Sequence, residues 1–366
     1  MPDPRVTKLA QILIKYSLEL EPGEDFALQT SPLAEELSLA VYKEAVLAGA
    51  HVLTLNSLPG AGEIFYKHAS DAQLDYISPV IRLMVETFTA SLQISASHNT
   101  RALSGVDPAR QSRSRKAQAE ISKIAMERAA RKELKWCYTV YPTHASAQEA
   151  DMSLSEYQDF VYGAGLLDLP DPVAAWKKEG ERQRELIRWL EGKEQAVIKG
   201  ENIDLQLSIK GRAFEEADGK SNFPDGEIFT SPVEQSVNGW VRFSYPAIYG
   251  GREVTGVELW FEDGKVVKEK ATKGQELLTA LLNTDEGARY LGEWGIGTNY
   301  GIQRFTKNML FDEKMGGTIH FAVGAGFPEV GSQNDSGIHW DMLCDMSDSQ
   351  VTIDGELFYQ DGKFMV

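Results

Sequence analysis

The chain has few cysteines and no long apolar run, and both absences narrow its class. Only Cys137 and Cys344 occur among 366 residues, with neither a CxxC motif nor a disulfide framework. Proteins with few cysteines and no disulfides are typical of a reducing compartment. We therefore expect a cytoplasmic protein. No run of about 18 apolar residues exists and the first residues show no secretory pattern, so we expect neither a membrane span nor secretion.

Positive charge is also scarce. The chain has 37 lysines and arginines but 54 acidic residues, which gives a formal net charge of −17. Nucleic acid and anionic membrane surfaces would repel such a protein, so we expect neither as a partner. The basic segment 110–116 fits a solvated helix. No GxGxxG follows a predicted strand and no GxxxxGK[ST] occurs, so the common nucleotide-binding fingerprints are absent.

The first half of the chain alternates between helical and strand-like hydrophobic periods. Helices are expected at 6–16, 33–48, 81–86 and 107–131, and strands at 25–30, 52–55, 88–94 and 136–141. Such alternation predicts an α/β domain with a mostly parallel, doubly wound sheet. Residues 142–192 form a helical connector, in which Ser153 and Glu156 make a capping box. We therefore place the N-terminal domain at residues 1–192.

The pattern changes after Gly192. Segment 203–209 alternates strictly, and Asp-Gly pairs at 263–264, 354–355 and 361–362 are typical of two-residue hairpin turns. Helices are expected at Gln275–Leu282 and near Asp285–Gly292. Residues 193–366 are thus predicted to form a β-rich α+β domain.

His339 and Asp341 form the most informative pair in this second half. On a strand they share one face, while Ile338, Trp340 and Met342 share the other and can enter a core. An imidazole and a carboxylate presented together form half of a metal site. The alternative is a surface pair without a ligand.

Three further residues are candidate ligands. Glu227 begins a strand after a turn, and Glu293 lies in a glycine-rich segment that we interpret as a loop. His320 shares a strand face with the small residues Thr318 and Ala322, which predicts that its ring faces a cleft. Separately, each has a structural interpretation, as a surface glutamate or a hydrogen-bonded histidine. With the His339 pair they suggest a metal centre whose nitrogen and oxygen donors suit Zn²⁺, Co²⁺ or Mn²⁺. Their three carboxylates leave one positive charge against two divalent ions, which suits hydrolytic chemistry.

The blocks around these residues resemble the M29 metallo-aminopeptidases, the group of aminopeptidase T, aminopeptidase S and PepS. The blocks are Asp225–Thr230, Gly292–Glu293, Thr318–Gly324 and Ile338–Asp341. The resemblance implies a two-domain exopeptidase acting on peptides, with two metal ions in the β-rich domain, and a homodimer. Carried over by motif, the implied metal ligands are Glu227, Glu293, His320, His339 and Asp341.

One position departs from the family pattern. The family usually has a tyrosine seven residues after the first histidine, where this chain has Phe327, which offers no ligand atom. We expect metal-assisted hydrolysis of the N-terminal peptide bond, with Glu293 as the catalytic group that shuttles a proton to the leaving amine. The alternatives are a metal-dependent amidohydrolase acting on a non-peptide amide and a non-catalytic metal-binding scaffold.

Overall fold

The computed structural model describes residues 3–366. The helices are α1 Pro4–Ile12, α2 Glu35–Leu47, α3 Ala61–His68, α4 Asp71–Leu74, α5 Pro79–Thr87, α6 Pro108–Ala130, α7 His144–Glu149, α8 Leu154–Ala164, α9 Pro172–Leu190, α10 Gln275–Leu282 and α11 Met309–Asp312. A π-helical turn at Leu13–Ser17 extends α1. The helices predicted in the first half are thereby confirmed.

Strands dominate the second half of the chain. They are β1 Asp25–Thr30, β2 His51–Asn56, β3 Ala90–Ser95, β4 Lys135–Val140, β5 Gln195–Gly200, β6 Ile203–Ser208, β7 Glu215–Ala217, β8 Asn222–Phe223, β9 Glu227–Thr230, β10 Asn238–Arg242, β11 Ala247–Tyr249, β12 Arg252–Val254, β13 Glu258–Glu262, β14 Lys265–Lys270, β15 Leu291–Gly297, β16 Thr318–Gly324, β17 His339–Asp345, β18 Ser349–Ile353, β19 Glu356–Gln360 and β20 Lys363–Phe364.

The chain divides into two compact units. The first contains the residues up to Val173 together with Gly219–Pro224, and the second contains Ala174–Asp218 and Asp225–Val366. The short return to the first unit adds β8 to the edge of its sheet, beside β4. The first change of unit precedes the predicted domain boundary at 192/193, and that division into folding domains stays a prediction.

The first unit is built on a five-stranded sheet in the order β2-β1-β3-β4-β8, with every pair parallel. Parallel strands need crossover connections, and the helices between the strands supply them. Phe26, Ala27 and Leu28 are buried in β1, an interior strand of this sheet. The capping box at Ser153 is present at the start of α8. The predicted α/β class is confirmed.

The second unit contains an eight-stranded sheet, β14-β13-β10-β6-β5-β18-β19-β20, and a five-stranded sheet, β17-β16-β15-β9-β7. The predicted Asp-Gly hairpins join β13 to β14, β18 to β19 and β19 to β20. Asp263, Asp354 and Asp361 all have φ between 47° and 49°, and the glycine after each also has positive φ. Positive φ at both central residues is the geometry of a type I′ turn. The predicted β-rich class is confirmed.

The five-stranded sheet of the second unit has one apolar face. Trp294 of β15, Ile319 and Phe321 of β16, and Trp340 and Met342 of β17 are at most 2% exposed and belong to the core of the second unit. Because side chains alternate along a strand, the residues between them point to the opposite face. That opposite face carries the candidate metal ligands.

Two local predictions near Glu293 are wrong. The helix expected near Asp285–Gly292 is only a 3-10 turn at Gly287–Arg289, and the expected glycine-rich loop is the fully buried strand β15. The glycines of β15 do not form a flexible loop. They leave space that a neighbouring side chain and a neighbouring backbone segment occupy. A Cβ at Gly295 would overlap the ring of His320, and one at Gly297 would overlap the carbonyl of Met315.

Candidate metal centre

Four adjacent strands bring the five predicted residues together. Glu227 lies on β9, Glu293 on β15, His320 on β16, and His339 and Asp341 on β17. These strands are neighbours in the order β17-β16-β15-β9, although the residues span more than a hundred positions in sequence. Sheet pairing therefore assembles the site from distant segments of the chain.

The strand register places these side chains on one face. Glu293 pairs with Ala322, and Ala322 pairs with Asp341 on the next strand. His320 pairs with Gly295, whose missing side chain leaves space for the imidazole ring. Ala322 thus lies between Glu293 and Asp341, and Gly295 lies beside His320. These small residues leave the space in which the longer side chains meet above the sheet.

The functional atoms converge on the two histidines. His320 Nε2 lies 3.3 Å from Glu227 Oε2 and 3.5 Å from Glu293 Oε1. His339 Nε2 lies 3.1 Å from Glu293 Oε2 and 3.5 Å from Asp341 Oδ1. Glu293 therefore uses its two oxygens for different histidines and lies at the centre of the cluster.

His320 is fully buried, so the prediction that its ring faces a cleft is wrong. The carboxylates of Glu227 and Glu293, on β9 and β15, cover the imidazole ring of His320 on the side where the small residues leave space. The strand prediction itself is confirmed, as is the apolar orientation of Ile319 and Phe321.

His339 is the more accessible histidine, with 30% of its side chain exposed. Its Nδ1 lies 2.8 Å from the carbonyl oxygen of Ala325, which fixes a tautomer that carries the proton on Nδ1. The edge of the Phe327 ring packs against the imidazole, with centroids 5.1 Å apart, and Phe327 also contacts Phe229. The ring of His339 is thus held with Nε2 toward Glu293.

The arrangement fits a cation. Three groups of residues each offer donor atoms within 4.8 Å of one another: Glu227, Glu293 and His320; Glu293, His339 and Asp341; and Glu313, His320 and Asp341. Among the described residues, buried Glu227 Oε2, Asp341 Oδ1 and both nitrogens of His320 have no hydrogen-bond partner of good geometry. Buried polar atoms normally have partners, and these are the donor types that divalent metals use.

Burial and mutual charge shift the pKa values in the centre strongly. Burial raises the pKa of Glu227 to about 8. Burial opposes charge on the histidines, but the neighbouring carboxylates outweigh it and raise the pKa of His320 to about 9 and that of His339 to about 12. Burial likewise opposes charge on Glu293, yet the two histidines hold its pKa well below the usual range. Without metal, imidazolium protons therefore supply positive charge to the cluster.

Sequence reasoning missed three charged residues beside the cluster. Lys314 is 3% exposed, and its ammonium forms ion pairs with Glu227, with Glu313 at 2.6 Å and with Asp225 at 3.5 Å. Glu313 and Lys314 follow α11 in a turn, where charged residues normally face solvent. The only signal in the sequence is their position between the apolar residues Phe311 and Met315.

Comparison with known proteins decides the family. The model of the family described as thermophilic metalloprotease (M29) matches residues 3–364 of this chain. The chain belongs to the M29 family. The resemblance identified from the sequence is therefore confirmed, as is the assignment to metal-dependent hydrolases of peptide bonds.

Two M29 relatives and one solved structure show how far the similarity extends. Aminopeptidase 2 of Geobacillus stearothermophilus is 28% identical over 403 residues, covering 97% of this chain and 94% of the relative. Aminopeptidase T of Thermus thermophilus is 28% identical over 397 residues, covering 97% and 95%. The structure of wild-type AmpT from Thermus thermophilus superposes with a TM-score of 0.87 at 25% identity and covers 99% of both chains. The similarity thus includes both units.

Within residues 3–366, every helix is too short or too polar to span a lipid bilayer.

Proposed function

We propose that this chain is a metal-dependent aminopeptidase that releases the N-terminal amino acid from peptides. The observation that carries the proposal is the convergence of two histidines and three carboxylates from four strands on one face of a buried sheet. The M29 family and the relatives named aminopeptidase support the same reaction.

The centre holds two divalent ions in this proposal. One group consists of Glu227, Glu293 and His320, and the other of Glu293, His339 and Asp341. Glu293 belongs to both groups and would be the shared ligand. Nitrogen and oxygen donors without a thiolate favour Zn²⁺, Co²⁺ or Mn²⁺.

When bound, such ions polarise the scissile carbonyl and lower the pKa of a water molecule. The neighbouring residues fix the orientation of the proposed ligand His339. His339 is oriented by its contact with the Ala325 carbonyl, and Phe327 forms an apolar wall beside it. Glu293 is also our proposed carrier of the proton to the leaving amine, a role that requires one of its oxygens to be free of metal while it carries the proton. Its Oε2 lies 3.1 Å from Nε2 of the partly exposed His339.

The overall charge of the protein, −17, favours a free N-terminus on the substrate. A negative field around the protein attracts the α-ammonium group of a peptide, whereas an acetylated peptide lacks that charge. This electrostatic preference makes exopeptidase activity the expected outcome rather than cleavage within a chain.

We also propose a cytoplasmic homodimer. Leu39, Tyr42 and Val46 lie along one side of α2 and are 64%, 45% and 52% exposed. Their spacing forms an apolar stripe of the kind that proteins usually cover. Cys137 and Cys344 are buried and are not joined in a disulfide, which suits a reducing compartment.

A substrate panel tests the proposed reaction. Protein loaded with Co²⁺ or Zn²⁺ is incubated with a dipeptide, its N-acetylated twin and a set of non-peptide amides. We expect amino acid release from the free dipeptide and at least tenfold slower release from the acetylated twin. Preferred turnover of a non-peptide amide would show an amidohydrolase, and bound metal without turnover of any substrate would show a scaffold.

A further inference from the structure

The parallel sheet of the first unit has one polar face. Parallel sheets are normally covered on both faces, and their strands are then apolar throughout. In β3 the residues alternate instead: Leu92 and Ile94 are buried, whereas Ser91 and Gln93 point to the opposite face. Gln93 is exposed although β3 is the middle strand of the sheet. The face that carries Gln93 is therefore open at the centre of the sheet.

The strand register aligns four polar side chains on this open face. Gln29 of β1 pairs with Gln93 of β3, and Gln93 pairs with Tyr138 of β4. Tyr138 in turn pairs with Asn222 of β8. We call these four side chains the polar row. Three strand spacings of about 4.8 Å give the polar row a length of about 14 Å.

A cavity of about 520 Å³ lies over the polar row. The helix α6 does not close it, because only three of the 23 residues of α6 are buried. The other side of the cavity is apolar and contains Met84, Phe88, Met126, Leu134 and Trp136. Trp136 is 42% exposed and Met126 is 70% exposed, so both are accessible to a ligand. None of the fifteen residues that line the cavity is charged.

Most of the hydrogen-bonding capacity of the polar row is unused. Gln29 Nε2 donates to Ser91 Oγ at 3.0 Å. Among the described residues, none forms a hydrogen bond with the side chains of Gln93, Tyr138 or Asn222. A glutamine or asparagine amide offers both a donor and an acceptor, as a peptide bond does. The polar row can therefore hydrogen-bond to a peptide backbone whatever its side chains are.

The dimensions and the charge of the cavity restrict such a ligand. An extended peptide rises about 3.4 Å per residue, so the 14 Å of the polar row correspond to about four residues. Methionine side chains are flexible and adapt to apolar groups of different shape, and Met84 and Met126 face the polar row across the cavity. An uncharged lining offers no partner to a charged side chain or terminus, and enclosing an unpaired charge is unfavourable.

We propose that this cavity binds an uncharged, extended peptide segment of about four residues. The polar row contacts the backbone of the segment, and the methionines and Trp136 contact its side chains. All residues of the cavity belong to the first unit, whereas the five proposed metal ligands belong to the second. The inference goes beyond the proposed reaction, because this binding requires neither metal nor a free N-terminus.

A blocked peptide tests the proposal apart from the metal centre. Chelator-treated full-length protein is titrated calorimetrically with acetyl-Ala-Leu-Ala-Leu-amide, which has no charge, and with a twin in which lysine replaces both leucines. We expect one uncharged peptide to bind per chain and the charged twin to bind at least tenfold more weakly.

Two variants locate the binding. Gln93→Ala removes an amide of the polar row and should weaken binding at least fivefold. Ser122→Trp places a large ring in the cavity from an exposed position on α6 and should weaken binding at least tenfold. The matched controls are Gln206→Ala, an exposed glutamine of β6 in the second unit, and Ser112→Trp, an exposed serine of α6 outside the cavity. Both controls should bind the peptide as wild type does.

Several results would overturn the proposal. These are the absence of binding to wild type, equal affinity for the charged twin, and wild-type affinity in folded Gln93→Ala and Ser122→Trp. The comparison of the two peptides on wild type decides the matter even if a variant fails to fold. Displacement of the peptide by benzamide at equal concentration would show a small-molecule pocket instead, and loss of self-association in Ser122→Trp would show a contact between two copies of the chain. Failure of the protein to release amino acids would contradict the proposed function and leave this inference standing.

Discussion

His339 and Glu293 meet across an intervening strand. Nε2 of His339 on β17 lies 3.1 Å from Oε2 of Glu293 on β15, and β16 runs between them. At this level β16 carries Ala322, which pairs with Glu293 on one side and with Asp341 on the other. The small side chain leaves the space in which the two longer ones meet, so strand register and residue size together create the contact.

Glu293→Gln should remove more metal than Glu227→Gln. Glu293 belongs to two candidate donor groups and Glu227 to one, so the first change disturbs both ions and the second only one. We expect elemental analysis after dialysis to show about two ions in wild type, about one in Glu227→Gln and fewer in Glu293→Gln. Glu262→Gln, on the exposed end of β13, is the control and should match wild type. Equal loss in the two variants would argue against a shared ligand.

Gly295→Ala should damage the fold and the centre together. The new Cβ would overlap the imidazole of buried His320, and both β15 and β16 are hydrogen-bonded to a strand on each side. Overpacking of this kind destabilises by about 1–3 kcal/mol. The matched control is Gly163→Ala in α8, where a Cβ meets no atom within 4 Å and alanine favours the helix. Thermal unfolding should show a lower Tm only for Gly295→Ala, and wild-type stability with full metal content would refute the steric argument.

The metal-free protein should lose stability as pH rises. The folded-state pKa of His320 is raised to about 9, so its favourable charge is present below its ordinary value of 6.5 and is lost as pH rises through about 9. The folded-state pKa of Glu227 is raised to about 8, so its ionisation also opposes folding as pH rises. Thermal unfolding between pH 6 and pH 9 should show a falling Tm without metal and a weaker dependence with Co²⁺. A Tm that rises over this range without metal would contradict the assignment.

Phe327→Tyr should leave metal stoichiometry unchanged. All three candidate donor groups form from other residues, and Phe327 contributes an apolar contact to the ring of His339. Adding a hydroxyl should therefore change affinity by less than tenfold. Elemental analysis of the two proteins, prepared in parallel, checks this. A gain of one ion per chain in the tyrosine variant would show that position 327 completes a binding site.

The sequence predicts the helices and strands of this fold better than it predicts how they pack against one another. Period-two alternation places His339 and Asp341 on one strand face, and the Asp-Gly pairs predict three hairpins correctly. Composition misleads at Gly292–Gly297, where glycine suggests a loop. The structure uses those glycines in a central strand, because a ring and a backbone carbonyl occupy the space of their missing side chains.

Glu313 and Lys314 show the other limit of sequence reasoning. Two adjacent charged residues in a turn are usually solvated, and no local pattern marks these two as enclosed by the protein. The side chains of Lys314 and Glu313 are only 3% and 19% exposed, because Lys314 contacts Glu227, 87 positions away in the sequence, and because the turn packs against Gly297 of β15. Such placement depends on the assembled sheet.

The central claim is that the five converging side chains hold metal ions that make the chain an aminopeptidase. The most direct measurement follows the release of an amino acid from a free dipeptide while Co²⁺ or Zn²⁺ is titrated into chelator-treated protein. We predict no release from the metal-free protein and recovery in step with bound metal, with His339→Ala inactive at every metal concentration. Release by the metal-free protein at the rate of the loaded protein would contradict the account.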